Sequence, residues 1–163
     1  MHKKLKDNWR IVAALAVILV LIGFFFWRNA THPTIVTADC STPYRYDSTV
    51  KVNSHTIKTE DATTKASRAI GLGNRACIGQ DVGMLFIFRI PGHYQFWMKD
   101  MRFPIDIVWI SPQHKAVDVL RDVKPSTYPY SFANKGQTAQ YVLELASNRT
   151  STLGINPGTL INF

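Results

Sequence analysis

The stretch that decides the fold is Phe96–Ile110, FWMKDMRFPIDIVWI. It combines Trp97, Trp109, two Phe, two Met and four β-branched apolar residues with Lys99, Asp100, Arg102 and Asp106. Side chains this apolar belong inside a fold, whereas charges stay outside unless they are paired. Read as a hairpin, FWMK and PIDIVW are its arms and DMRF its turn. A symmetric register then sets Lys99 opposite Asp106, Met98 opposite Ile107 and Phe96 opposite Trp109, and opposite charges facing across a strand pair stabilise it modestly. Asp100 and Arg102 decorate the turn, so Lys99 and Asp106 are the anomalies.

The same logic extends outward. Glu144 interrupts the apolar YVLEL, and Arg75 stands alone in GLGNRAC. A lone acid in a buried strand pattern needs a cation or a hydrogen-bond donor. Arg75, Lys99, Asp106 and Glu144 therefore form a candidate polar cluster, with Trp97 and Trp109 as candidate pocket walls. Two roles fit these residues: ion pairs that pin strands, or a groove with aromatic walls and a few convergent polar groups, which is how ligand pockets look.

Strand-like runs recur along the C-terminal two-thirds. VKVNSHTIKTE alternates partly as one or two edge strands. GMLFIFRI, YQFWMK, PIDIVWI, KAVDVLRDV, QYVLELA and TLINF follow, separated by Gly, Pro, Asn and Ser. DATTKASRAIGLG spaces Ala62, Ala66, Ala69 and Ile70 as a short helix, with Asp61 able to cap its start and Gly71 or Gly73 its end. SNRTSTLG reads as one helical turn, and VKPSTYPYSFANKGQTA as a long loop. The expected class is mainly β, a compact sandwich or barrel, jelly-roll-like, with one or two short helices.

The N-terminal segment differs. Ile11 to Trp27, IVAALAVILVLIGFFFW, carries no charge. As a helix it spans about 26 Å, near the lower limit for crossing a bilayer core. Trp9 and Trp27 bracket it, and the basic residues before it favour a cytoplasmic N-terminus. The expected organisation is a basic cytoplasmic segment (1–10), a single transmembrane helix (11–28), a linker (29–49) and an extracytoplasmic domain (50–163). A cleaved signal peptide is the competing possibility, but the small-residue site VTA (Val36 to Ala38) lies far beyond the apolar run.

Of the net charge of +8, half sits in residues 1–28, where five basic residues face one acid. The remainder is spread too thinly for a nucleic-acid interface, so no nucleic-acid partner is expected. Cys40 and Cys77 are the two cysteines. Outside the cytoplasm an even pair suggests a disulfide, closing a loop of about 38 residues and worth about 4 kcal/mol in the chain-entropy account; two independent thiols are the alternative. The five histidines show no metal-ligand spacing, and GLGNRA ends a helix instead of opening one, so neither a metal nor a dinucleotide cofactor is expected.

The ordered blocks GLGNR, GMLFIF, FWMKDMRFPIDI, YVLEL and GINPGTLINF resemble the Domain of Unknown Function 192 family over roughly Val50 to Phe163. The family pattern falls on Gly71, Leu72 and Arg75; on Gly83 to Phe86; on Phe96 to Lys99; on Pro104 and Asp106; and on Leu143 and Glu144. The chain departs from it twice. Asp100 follows the lysine where Asn is frequent, and Ser147-Asn148 stands where glycine is common. The resemblance implies a compact β domain, often behind a signal peptide or an anchor, and implies no reaction and no catalytic residues. The expected function is a non-catalytic binding or interaction module at the cell envelope. Membrane contact would come through the N-terminal helix, and the unidentified envelope ligand or protein would meet a surface near Trp97, Lys99, Arg102 and Asp106. Two alternatives remain: a hydrolase using Asp106 or Glu144 as base with Lys99 or Arg75 as electrostatic stabiliser, and a purely structural envelope protein.

Overall fold

A computed structural model of the chain describes residues 44–163, Cys40, and positions 12, 13, 18–22 and 24. The chain divides into two compact units, residues 1–37 and 38–163. Most of the expected 11–28 span and 29–49 linker lies outside the described residues. Among the described residues no helix is long and apolar enough to cross a membrane.

The second unit is mainly β. Its strands are β1 (Ser48–Val52), β2 (His55–Ala62), β3 (Val82–Gly92), β4 (Gln95–Trp97), β5 (Ile105–Ile110), β6 (Ala116–Val123), β7 (Ser131–Ala133) and β8 (Ala139–Ala146). Two short helices, α1 (Lys65–Ile70) and α2 (Arg149–Thr152), and a 3-10 turn at Pro125–Thr127 join them. Six strands form one mixed sheet in the order β1-β2-β3-β8-β5-β6, and β4 pairs with β7 in a separate ribbon. The β2–β3 pairing is parallel, the others antiparallel. With β1 and β6 at opposite edges and unpaired with each other, the sheet closes no barrel, and the second layer is a two-stranded ribbon instead of a matching jelly-roll sheet.

Both faces of the large sheet are covered, which explains why its central strands read as continuous apolar runs. On one face Met84, Phe86, Ile105, Ile107, Trp109 and Val142 pack with Leu72, Phe96 and Met98. On the other, Leu85, Val108, Ile110, Leu143 and Leu145 pack with Leu153, Ile155 and Ile161 of the C-terminal segment. Alternate residues of β5 serve alternate faces, so all six are buried. Burial of each large apolar side chain contributes about 1.5–3 kcal/mol. Gly83 is required where β3 meets β8: a Cβ there would stand 2.9 Å from the Glu144 carbonyl oxygen and 2.9 Å from Leu145 Cδ2.

The expected FWMK/PIDIVW hairpin does not form. β8 and β6 occupy both edges of β5, leaving no edge for β4, which instead pairs Phe96 with Phe132 and Trp97 with Ser131. Between them the chain turns at Asp100, whose φ of 58° is left-handed. The loop expected at 123–139 therefore contains a strand, β7. TLINF makes only isolated bridges, Lys115 to Leu160 and Lys51 to Asn162. The start of α1 is capped by Thr64, not Asp61, in a reciprocal capping box with Ser67, and Gly71 closes its end.

Candidate functional site

The expected polar cluster separates into three parts, because successive strand residues point to opposite faces. Asp106 pairs in register with Leu145, and its neighbour Ile107 pairs with Glu144. Asp106 thus belongs to the C-terminal face and Glu144 to the ribbon face.

Asp106 is fully buried. Its Oδ1 accepts from the Asp122 N–H at 2.8 Å and the Asn148 N–H at 3.1 Å. Its Oδ2 accepts from the Thr150 N–H at 2.8 Å and the Thr150 hydroxyl at 2.6 Å. Four donors saturate the carboxylate, so it holds the β8–α2 turn against β5 and β6 and faces no Lys99. Asn148 has a φ of 65°. Both departures from the family pattern thus occupy left-handed positions, which Gly, Asn and Asp tolerate best.

Arg75 is partnered by Glu60, a residue that the sequence reading missed. Its Nη1 and Nη2 donate to Oε1 and Oε2 of Glu60, both at 2.8 Å. The two are largely buried, with side chains 18% and 7% exposed. The only sequence signal was the unexplained arginine; Glu60 itself reads as one of two adjacent acids near a strand end. Arg75 also lies 5.0 Å from the centre of the Tyr44 ring, whose hydroxyl donates to the Cys77 carbonyl at 2.7 Å. The expected Cys40–Cys77 disulfide is present, with Cα atoms 5.5 Å apart, and ties this loop to the start of the domain. The Glu60 bond holds the Arg75 pKa above its ordinary value, against the opposing effect of burial.

Glu144 has neither arrangement. Across the sheet, Glu60 pairs with Met84 and Met84 with Glu144, so the two acids share a face about 10 Å apart. Glu144 is 4% exposed, and its Oε2 has no hydrogen-bond partner among the described residues. Burial pushes its carboxyl up to about 8, and the positive charge of Arg75 opposes that rise. The acid is therefore held mostly neutral at pH 7.

Glu144 forms the floor of a cavity of about 130 Å³ between α1 and β4. Phe86, Phe88, Tyr94, Phe96 and Trp97 line it, and Arg68 and Lys99 contribute its cationic groups. Phe86 and Phe96 meet edge to face at 4.8 Å, and Phe88 stacks on Tyr94 at 3.4 Å. Gly71 packs against Phe86 and Glu144: a Cβ there would lie 3.4 Å from the Phe86 ring and 3.8 Å from Glu144 Oε2, and its φ of 54° is left-handed, which favours glycine. The GLGNR loop is fixed beside it by the Asn74 N–H, which donates to the Asp100 carbonyl at 2.8 Å.

The two candidate tryptophans also part company. Trp97 is 51% exposed and lines the cavity, next to Tyr128 at 6.2 Å. Trp109 is wholly buried, and its indole N–H donates to the Tyr94 carbonyl at 2.9 Å, so it is a core residue and not a pocket wall. Lys99 is exposed, with Nζ 5.9 Å from the Trp97 ring. Among the described residues no group of His, Cys, Asp and Glu is arranged to hold a metal ion.

No curated protein matches the chain. Solved structures do. A protein of unknown function from Novosphingobium aromaticivorans superposes with a TM-score of 0.65 at 28% identity, over 71% of this chain and 84% of that one. A Sinorhizobium meliloti protein described as a "putative transcription regulator" gives 0.64 at 26% identity, over 70% and 89%. Residues 48–163 match DUF192, described as "Uncharacterized ACR", and the chain belongs to that family.

Proposed function

We propose that the protein is a non-catalytic binding module at the cell envelope, with the cavity between α1 and β4 as its ligand site. The observation that carries this is Glu144: a buried carboxyl oxygen without a partner, at the floor of an aromatic-walled cavity. Leaving a buried polar atom unmade costs about 1–3 kcal/mol. Retaining that cost beside an open space is sensible where a ligand supplies the missing bond. It sits poorly with a purely structural role, in which the acid would be paired and the space filled. Placement outside the cytoplasm, behind a membrane anchor at 11–28, is supported by the charge-flanked apolar run and by the disulfide, since disulfides persist in oxidising compartments.

The test is a ligand-observed NMR screen of small ring compounds against the full chain and its Trp97→Ala variant. Hits that lose binding in the variant support the reading; no hits, or hits indifferent to Trp97, overturn it. Thiol labelling that finds Cys40 and Cys77 reduced and reachable only from the cytoplasm overturns the placement.

A second reading, hydrolysis, is favoured by one observation. A carboxyl titrating near neutrality in a cleft suits a general base. Glu144 is then the base and Lys99 the stabilising cation, since Asp106 is saturated and Arg75 is bound to Glu60. Turnover of an ester or glycoside panel that disappears in Glu144→Gln while binding persists would favour it over the binding module.

A further inference from the structure

Building on the binding-module reading, we propose that the cavity takes a ring-sized organic anion: one ring between the aromatic walls, a ring hydroxyl bonded to the Glu144 carboxyl, and a carboxylate beside Lys99 and Arg68. Size sets the first element. The cavity of about 130 Å³ is close to the roughly 150 Å³ space that accommodates benzene in an apolar protein interior. The walls are rings disposed edge to face and stacked, geometries that an inserted ring extends favourably.

The floor sets the second element. Glu144 Oε2 lacks a partner, and the Glu144 side chain lines the cavity. A neutral carboxyl both donates and accepts, so a hydroxyl satisfies it, whereas a ligand without one leaves the oxygen buried and unpaired.

The cations set the third. Among the described residues neither Lys99 nor Arg68 is ion-paired with an acid. Arg68 donates to the Thr63 and Ile87 carbonyl oxygens at 2.6 and 3.1 Å and lies 5.1 Å from the centre of the Phe88 ring. Lys99 faces Trp97. With Glu144 neutral, the lining has a field of two positive charges and no negative one, and the Arg75 guanidinium beneath it is neutralised by Glu60. That field favours an anion whose charge stays beside Lys99 and Arg68, and opposes an ammonium ligand, which has to approach past two cations.

Calorimetric titration of the full chain with 4-hydroxybenzoate, benzoate and phenol tests each element. We expect 4-hydroxybenzoate to bind roughly tenfold tighter than either of the others, from one added hydrogen bond or one added charge contact. Lys99→Gln should remove the advantage over phenol, and Glu144→Leu the advantage over benzoate. Glu144→Gln, which keeps a neutral donor and acceptor, should retain both. Phenol binding as tightly as 4-hydroxybenzoate, or a Lys99→Gln variant that keeps the advantage over phenol, overturns the anion assignment and leaves the cavity as a binding site. If none of the three binds, the anion class is overturned. Neutral and cationic ring compounds then decide the wider reading, which survives if any of them binds in a Trp97-dependent way and falls if none does.

Discussion

Asp106 and Glu144 sit on neighbouring strands of one sheet, both buried, and they meet opposite fates. Asp106 accepts four hydrogen bonds, three from the turn that follows β8 and one from Asp122 of β6. Glu144, one register step away on the other face, has an oxygen with none. The difference lies in what covers each face. A turn rich in N–H and hydroxyl donors folds over Asp106, while aromatic rings and a gap cover Glu144. A buried acid in a strand is therefore not one kind of feature: the same sequence anomaly marks a lock on one face and an open valence on the other.

The largest effect should come from the lock. Asp106→Ala leaves the Asp122, Asn148 and Thr150 N–H groups and the Thr150 hydroxyl without their acceptor, and we expect a loss of about 3–5 kcal/mol in urea unfolding. A loss below about 1 kcal/mol would break the comparison, because Asp106 would then be no better anchored than Glu144.

Glu144→Gln should act in the opposite direction. The Glu144 carboxyl is raised from 4.5 to about 8 by burial, so between those values the folded chain holds a proton that the unfolded chain has lost. Its contribution to stability is fully present below pH 4.5 and declines as pH rises, until it levels off above about 8. Glu144→Gln removes this slope and should stabilise the protein by a few kcal/mol at pH 8, with little change at pH 4. Thermal melts of both proteins across that range measure it.

Lys99→Met should change least. The lysine is exposed and pairs with no acid among the described residues, so melting should stay within about 0.5 kcal/mol of the wild type. A sharp fall would make Lys99 a fold element and weaken its place at the cavity.

Much of this contrast was legible in the sequence, but not its geometry. Glu144 in YVLEL and Asp106 in PIDIVW stand out from their strands by composition alone. The pairing of Cys40 with Cys77 followed from count and context. The partner of Asp106 was not legible, because Thr150 lies 44 residues away and nothing local in SNRT marks it as a donor to β5. The hairpin misled because PIDIVWI is a central strand: an uninterrupted apolar run says that both faces are covered, and its two edges were already taken by β6 and β8. Glu60 was hidden beside Asp61, although only the first is buried. Trp97 and Trp109 are the same residue type in similar company, and only the layer each occupies separates a pocket wall from the core.

The central claim is that Glu144 is an unpartnered, neutral acid at the floor of the cavity. The direct measurement is the Glu144 carboxyl 13C shift, followed by NMR from pH 4 to 10 in the selectively labelled full chain. The account predicts a single titration with its midpoint near 8. A midpoint near 4.5, the ordinary value for a glutamate, would mean that the carboxylate is solvated or paired, and would contradict it.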